Sequence, residues 1–388
     1  MIRRRTRSSS RFLTQNLSAS NYLHRPDYWL LGSLFFIVFV GLFMLASAGS
    51  AVGYQKFGDS FYFIKHQLLV GFLPGLILFF ILSRLDYHFW LKAKTWVAVA
   101  LLALLLSVFI PGLGTSLNKG ALSWVQLFGI PVQPSELAKV VFALFFSAFL
   151  AQKGEAVKNL WLGVLPVVVI LLVVLGLVAL QPDFGTMSIF LLMGATLYFV
   201  AGARYRHLAV LATVGLVLVG GLLLTSSHAK QRLQTFLNPA TVESQDQGYQ
   251  LRQAMIGIGS GGLLGRGLGY SRQKFQYLPE VTGDSIFAVI GEEMGFLFSA
   301  GLIIAFLVLF ARAIKVARRA PDKFGELLAV GIISWIIGQA FLNISAMLGL
   351  MPLTGVPLPF ISYGGSALLA GLSAMGILVN ISRQTNVR

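Results

Sequence analysis

LWLGVLPVVVILLVVLGLVAL, residues 160–180, carries no charged side chain. About 20 consecutive apolar residues is the length that crosses a bilayer as a helix. Gln181-Pro182-Asp183 follows at once, and then FGTMSIFLLMGATLYFV, a second apolar run over 184–200, so the chain turns and crosses back. Working outward from this pair, hydropathy marks ten spans at roughly 29–49, 66–84, 95–110, 133–151, 160–180, 184–202, 207–226, 284–311, 325–350 and 361–381. The fold class predicted is an all-α polytopic membrane protein, with a long, partly structured outer segment at 227–283 between the seventh and eighth helices. Only 11% of the residues are charged and 56% are apolar, against about 25% charged in a soluble domain. The apolar surplus faces lipid.

Net charge is +16, which in a soluble chain would suggest nucleic acid. Here most of the 30 Lys and Arg residues fall on the side that holds the N-terminus, and Lys139 lies within a helix. That is the positive-inside pattern, so both termini are predicted in the cytoplasm and nucleic acid is not a partner. Residues 1–28 are basic and Ser-rich without apolar periodicity, and read as a disordered tail beside anionic lipid. The full-length span that follows has no small-residue cleavage pattern, against a signal peptide. Residues 29–388 show neither a tandem repeat nor a second domain. The absence of cysteine excludes disulfides and thiol chemistry, and the five scattered histidines argue against structural zinc.

The segment 227–283 is too long for a simple connector. Tyr249, Leu251, Met255, Ile256 and Ile258 suit a short helix in the membrane interface. GSGGLLGRGLG (Gly259–Gly269) matches neither G-x-x-x-x-G-K-[ST] nor G-x-G-x-x-G, and predicts backbone lying close against the helix tops. In MPLTGVPLPFISYGGS (Met351–Ser366) three prolines interrupt helix, and such backbone persists at membrane depth only buried in protein or lining a wet cavity.

With 14 acidic residues in all, each can be weighed. Glu136, Glu292 and Glu293 fall inside the predicted spans, where an ionisable group costs at least about 2.5–3.5 kcal/mol. Glu136 and Lys139, three apart at the start of the fourth helix, share a face and form either a structural ion pair or the lining of a polar cavity. Glu292 and Glu293 cannot share a face. One is placed toward the bundle interior and the other toward a partner nearer the cytoplasmic half, both structural. Asp183 is read first as a helix cap and second as a site residue. Asp284 starts the eighth helix after Tyr277-Leu278-Pro279-Glu280-Val281-Thr282-Gly283. It is either an N-cap or, with Glu280 and the cations Arg266, Arg272 and Lys274 close in sequence, a general base at a cavity mouth.

Gln133–Lys139, Gln181–Thr186, Gly248–Gly269, Ser271–Gly295 and Pro352–Ser366 resemble the signature blocks of the SEDS family (shape, elongation, division and sporulation), which includes FtsW and RodA. SRQKFQYLPE (Ser271–Glu280) and FAVIGEEMG (Phe287–Gly295) are similar to the FtsW, or division, branch. The resemblance implies a peptidoglycan glycosyltransferase that extends glycan strands from lipid II, beside a class B penicillin-binding protein and other divisome membrane proteins at the septal cytoplasmic membrane. It places the family's essential aspartate at Asp284, its polar pair at Glu136 and Lys139, and its Gln-Pro-Asp aspartate at Asp183. Where the family commonly has His-Thr, this chain has Thr282-Gly283, so any role for that histidine does not carry over. The chemistry expected is deprotonation of the acceptor 4-hydroxyl by Asp284, with Lys139, Arg266, Arg272 and Lys274 on the diphosphate, and with Glu136, Asp183 and Glu280 as further substrate contacts. No cofactor is required by the sequence, and a divalent cation (Mg or Mn) is compatible with it. A lipid II flippase, a RodA-like elongation polymerase and a non-catalytic scaffold are the rival readings.

Overall fold

A computed structural model describes residues 25–115, 123–127, 129–225, 246–275 and 277–385, together with Lys230, Gln234, Phe236 and Leu237. The expected tail at 1–28 and residues 227–245 of the long segment lie almost wholly outside the described residues. Among the described residues, seven helices are long and apolar enough to cross a membrane: α1 (Tyr28–Ala48), α3 (Tyr62–Leu82), α5 (Pro134–Lys158), α6 (Leu160–Ala179), α10 (Ile286–Arg318), α11 (Lys323–Met347) and α12 (Gly365–Arg383). Three shorter apolar helices are α4 (Lys94–Phe109), α7 (Phe184–Val200) and α8, apolar over Tyr205–Val217. Together they occupy the ten places that hydropathy predicts. Three further helices among the described residues do not cross: α2 (Ser50–Phe57), a short turn of helix at His88–Lys92, and α9 (Asp246–Gly261).

Local chemistry sets the helix starts. Asp27 caps α1 by accepting from Trp29 N and Leu30 N, both at 3.1 Å. Asp183 caps α7 through Thr186 N at 3.0 Å, and Asp322 caps α11 through Gly325 N at 2.7 Å. Each carboxylate satisfies amides that the first helical turn leaves without a partner. Pro134 opens α5 in the first turn, where its missing N–H costs nothing.

The centre of the bundle is α5, α11 and α12, whose apolar windows are 72%, 72% and 83% buried in the protein, against 22% for α3. Lipid gives no hydrophobic drive for helices to associate, so close van der Waals fit and polar contacts hold them. The α3–α12 contact shows the first of these. A Cβ on Gly71 would lie 3.1 Å from Gly365 Cα, and one on Gly376 would lie 2.6 Å from Phe79 O.

We call the end of the bundle where α1 begins proximal and the opposite end distal. Between α4 and α5 the distal loop forms a small antiparallel sheet, β1 (Gly114–Thr115), β2 (Trp124–Leu127) and β3 (Ile130–Val132), in the order β1-β2-β3. The sequence reading had no strands there. Gly129, at φ 82°, makes the β2–β3 hairpin turn, a conformation only glycine takes freely.

The eighth span differs from prediction more. It is not one helix from 284: Gly295, at φ 77° and ψ −174°, breaks α10 into a limb Ile286–Met294 and a longer spanning part. The glycine-rich loop fills the break. Arg266 N donates to Glu292 O (2.9 Å), Gly267 N to Glu293 O (3.0 Å), and Phe296 N and Leu297 N donate to Gly262 O and Leu263 O (2.9 and 3.1 Å). A Cβ on Gly295 would sit 2.2 Å from Gly265 N. The glycines of Gly259–Gly269 thus serve backbone contact, as their pattern predicts. Helix α9 covers Tyr249–Ile258, buries Leu251 and Ala254, and lies against the first limb of α10, with Ile258 over Gly291.

Candidate functional site

Polar side chains gather at the distal end in two layers, joined by one face of α11. The upper layer holds Asp284. Its backbone is fixed from several sides: Asn343 Nδ2 donates to Asp284 O (2.8 Å) and to Val356 O (2.9 Å). Ser362 Oγ donates to Gly283 O at 2.6 Å, and Tyr363 N to Thr282 O at 2.7 Å. Met351–Ser366, the proline-interrupted stretch, is therefore the wall against which Thr282–Asp284 is pinned. Its own shape is held by Gln67, which donates to Ser362 O (3.3 Å) and accepts from Gly364 N (3.0 Å). Thr282 and Gly283 enter these contacts through backbone oxygens. The Asp284 side chain is half-buried, and Gln250 Nε2 from α9 donates to its Oδ1 at 3.2 Å. Ser285, not Asp284, occupies the N-cap position of α10, and it makes no side-chain capping bond.

The lower layer is the Glu136–Lys139 pair, 2.7 Å apart and 2% and 0% exposed. Lys139 Nζ also donates to Gln339 Oε1 at 2.7 Å and lies 5.3 Å from the centre of the Trp335 ring. Gln339 in turn donates to Pro357 O at 2.8 Å. The ammonium is thus shared between α5 and α11, while Glu136 Oε2 and Ser135 Oγ are buried with no partner. Both alternatives for this pair keep some support: it locks two helices, and it leaves acceptor capacity unused.

Asp183 is the α7 cap, and Gln133 Nε2 approaches its Oδ2 at 3.4 Å, with Gln133 N donating to Ser366 Oγ at 3.1 Å. It lies at the distal end through α5 and α12, and no direct contact with Asp284 joins them among the bonds described above. Glu280 is exposed, at φ 51°, and its carbonyl accepts from Gly283 N and Ser285 N at 2.9 and 3.2 Å, so it shapes the turn that delivers Asp284.

The cations fall elsewhere than sequence proximity suggested. Lys274 is 3% exposed; its Nζ lies 3.0 Å from Glu293 Oε1 and 3.3 Å from Ser47 Oγ. Arg266 NH1 is 3.8 Å from Glu292 Oε1, and its Nε donates to Ser260 O. Arg272 has an exposed side chain, and its backbone N donates to Glu292 Oε1 at 3.1 Å. Glu292 also accepts from Ser271 Oγ (2.5 Å) and Gln273 N (3.2 Å), and Glu293 from Ser47 Oγ (2.7 Å). The expectation that Glu292 and Glu293 serve different halves of the bundle is therefore overturned. The limb of α10 stops two residues later, and the Ser271–Lys274 turn wraps its end, offering donors to both faces. Lys274 and Arg266 neutralise these carboxylates, so of the three loop cations only Arg272 keeps its charge clear of them.

Sequence reasoning missed Gln339, Asn343, Gln250, Ser362 and Gln67. The legible signal was Gln339 and Asn343, four apart in an apolar span and so on one face. Among the described residues no three His, Asp or Glu side chains converge as a metal cage.

A bundle of apolar helices long enough to cross the membrane several times, with a carboxylate at one end whose backbone is pinned, defines a polytopic membrane protein. The chain belongs to the FtsW, RodA and SpoVE family of cell cycle proteins, whose profile matches residues 28–387. Stage V sporulation protein E of Bacillus subtilis is 39% identical over 358 residues, 92% of this chain and 97% of that one. A protein of Geobacter sulfurreducens described as a probable peptidoglycan glycosyltransferase FtsW is 37% identical over 360 residues, covering 93% and 96%. Among solved structures, a chain of a peptidoglycan synthase complex that coordinates polymerization and crosslinking superposes with a TM-score of 0.75 at 28% identity, covering 92% of this chain and 98% of that one. The rod shape determining protein RodA of Thermus thermophilus gives 0.67 at 26%, covering 94% and 98%.

Proposed function

We propose that this protein is a peptidoglycan glycosyltransferase that polymerises lipid II, with Asp284 as its general base. The observation that carries the reading is the fixing of Asp284. Two elements, α11 and the Met351–Ser366 stretch, hold the backbone of Thr282–Asp284, so the carboxylate has a defined direction, and a base must be positioned before its basicity matters. Asp284 Oδ takes the proton of the acceptor 4-hydroxyl, the freed oxygen attacks C1 of the donor sugar, and the C1–oxygen bond to the diphosphate breaks, the electron pair leaving with the diphosphate. The α-linked donor inverts in one displacement, so no second carboxylate nucleophile is needed. Arg272, the loop cation not facing Glu292 or Glu293 through its side chain, is the group left to meet the departing diphosphate; a divalent cation bound with the substrate would share that charge.

In this reading the distal end faces outward and both termini lie in the cytoplasm, as the Lys and Arg distribution supports. The partner is a crosslinking transpeptidase of class B, as the synthase complex that this fold resembles suggests. The likeness of Ser271–Glu280 to FtsW favours septal work over elongation. A second reading, lipid II translocation, draws on the buried Glu136–Lys139 pair, since transporters place such groups at membrane depth.

Asp284→Asn tests the assignment. It preserves side-chain shape and an oxygen for Gln250, and removes the basic site. Purified with its transpeptidase and given lipid II, the variant is expected to lose about 10²–10⁴-fold in glycan formation at an unchanged unfolding midpoint. Near-parental polymer would refute the base. Translocation of lipid II in vesicles by a parent protein that makes no polymer would establish the second reading instead.

A further inference from the structure

Where the distal end of α1 passes into α2, the Lys274–Phe275 turn stands opposite it across a cavity of about 440 Å³ lined by Ser50, Tyr54, Gln55, Ser60, Lys274 and Phe275. Sites for small molecules commonly enclose about 300–1,000 Å³, so the space is adequate for a ligand. The charge in its wall is closed off. Lys274 is held at 3.0 Å by Glu293, and Ser47 Oγ bridges the two. An anion entering would have to compete with a buried carboxylate for this ammonium. The rest of the lining is neutral: Ser50 and Ser60 bring hydroxyls, Ala51 and Val52 apolar surface, and Tyr54 and Phe275 rings that are 68% and 59% exposed, with Lys274 Nζ 5.8 Å from the centre of the Phe275 ring. Ser50 Oγ spends its proton on Ser47 O at 2.7 Å, so toward a ligand it can only accept. Hydroxyl groups beside exposed aromatic rings match a pyranose, which offers hydroxyl donors at its rim and C–H bonds on its face. They match a phosphate or a diphosphate poorly.

The cavity is also tied to the candidate site. Glu293 lies one residue before the end of the α10 limb that begins at Ile286, next to Asp284 and Ser285, and the eight helical residues from Ile286 to Glu293 span roughly 12 Å. A sugar chain passing Asp284 would reach the Tyr54–Phe275 gap within a few rings. We propose that this cavity is a saccharide subsite that grips the N-acetylated glycan of the growing strand, an inference that rests on the polymerase reading above.

The test uses the full-length parent chain in detergent and an uncharged N-acetylglucosamine tetramer, which carries no diphosphate and cannot be turned over. Saturation-transfer NMR is expected to show tetramer binding. Tyr54→Ala and Phe275→Ala each remove one exposed ring, leave the unfolding midpoint in place, and are expected to weaken binding roughly tenfold. Inorganic diphosphate is expected not to compete. With lipid II as substrate, the same variants are expected to release shorter strands. Absence of tetramer binding, binding that both substitutions leave unchanged, or displacement by diphosphate would each overturn the subsite; the last would make it an anion site. Polymer from the parent without tetramer binding refutes the subsite and keeps the polymerase. Ring-dependent tetramer binding by a parent that makes no polymer keeps a saccharide site and refutes the polymerase.

Discussion

Lys139→Met and Glu136→Gln, made singly and together, ask what the buried pair contributes. Lys139→Met removes the cation and leaves a carboxylate that is 2% exposed with neither oxygen partnered, since Oε2 has no partner to begin with. Breaking a buried pair from one side costs about 3–5 kcal/mol. Glu136→Gln leaves the ammonium uncompensated, but Gln339 and the new amide oxygen still accept from it, which puts the loss near the lower end of that range. The double variant removes both charges, and the methionine introduced in place of Lys139 sets a thioether against the Trp335 ring. It is expected to lie within about 2 kcal/mol of the parent, giving a coupling energy of at least about 4 kcal/mol where independent sites would add. The assay is reversible unfolding of purified protein in mixed micelles, followed by tryptophan fluorescence. A double variant as unstable as the two single losses combined would refute the account of this pair as mutually compensating charges.

Asn343→Ala removes the donor to both Asp284 O and Val356 O. Two orphaned carbonyls cost about 1–3 kcal/mol each, and glycan formation is expected to fall with them; an active variant of parental stability would show that Asn343 does not fix Asp284. At the proximal end His88 lies between Asp322 (2.6 Å) and Asp86 (2.7 Å). The Asp322 bond, against the opposing effect of burial and with help from Asp86, pushes its pKa from 6.5 up to about 9. The native state therefore holds this proton more tightly than the unfolded chain. Its contribution is full below pH 6.5 and fades as pH rises through about 9, so the stability gap between the parent and His88→Gln should narrow over that window; a constant gap contradicts the clamp. For orientation, cysteine at Tyr270 should react with an impermeant thiol reagent in intact spheroplasts and cysteine at Arg319 should not, and the reverse pattern would invert the site.

The ten spans were legible because each apolar run must satisfy its own backbone in lipid, which leaves helix as the answer. Hydropathy, however, cannot see a break that keeps its apolar character. Phe296 and Leu297 continue the pattern across Gly295, and the signal for the break lay thirty residues upstream, in glycines whose contact with it is tertiary. The candidate site divided in the same way. Asp284, Glu136 and Asp183 were visible as rare carboxylates in an apolar chain. The destination of Lys274 was not, because nearness in sequence to Asp284 said nothing of the turn that aims its side chain at Glu293. The residues that hold Asp284 escaped notice for a related reason: Asn343 and Ser362 act on backbone oxygens, which every sequence contains.

Gln339 and Asn343 give α11 a grip at two depths, one on the ammonium of Lys139 and one on the carbonyl of Asp284, about 6 Å apart along a single axis. A helix held this way behaves as a threaded rod. Screwing it or sliding it by a fraction of a turn strips both holds together, because a rigid shaft has no way to yield at one collar and stay seated at the other. The hold on the Asp284 carbonyl and the hold on the Lys139 ammonium thus sit on one shaft.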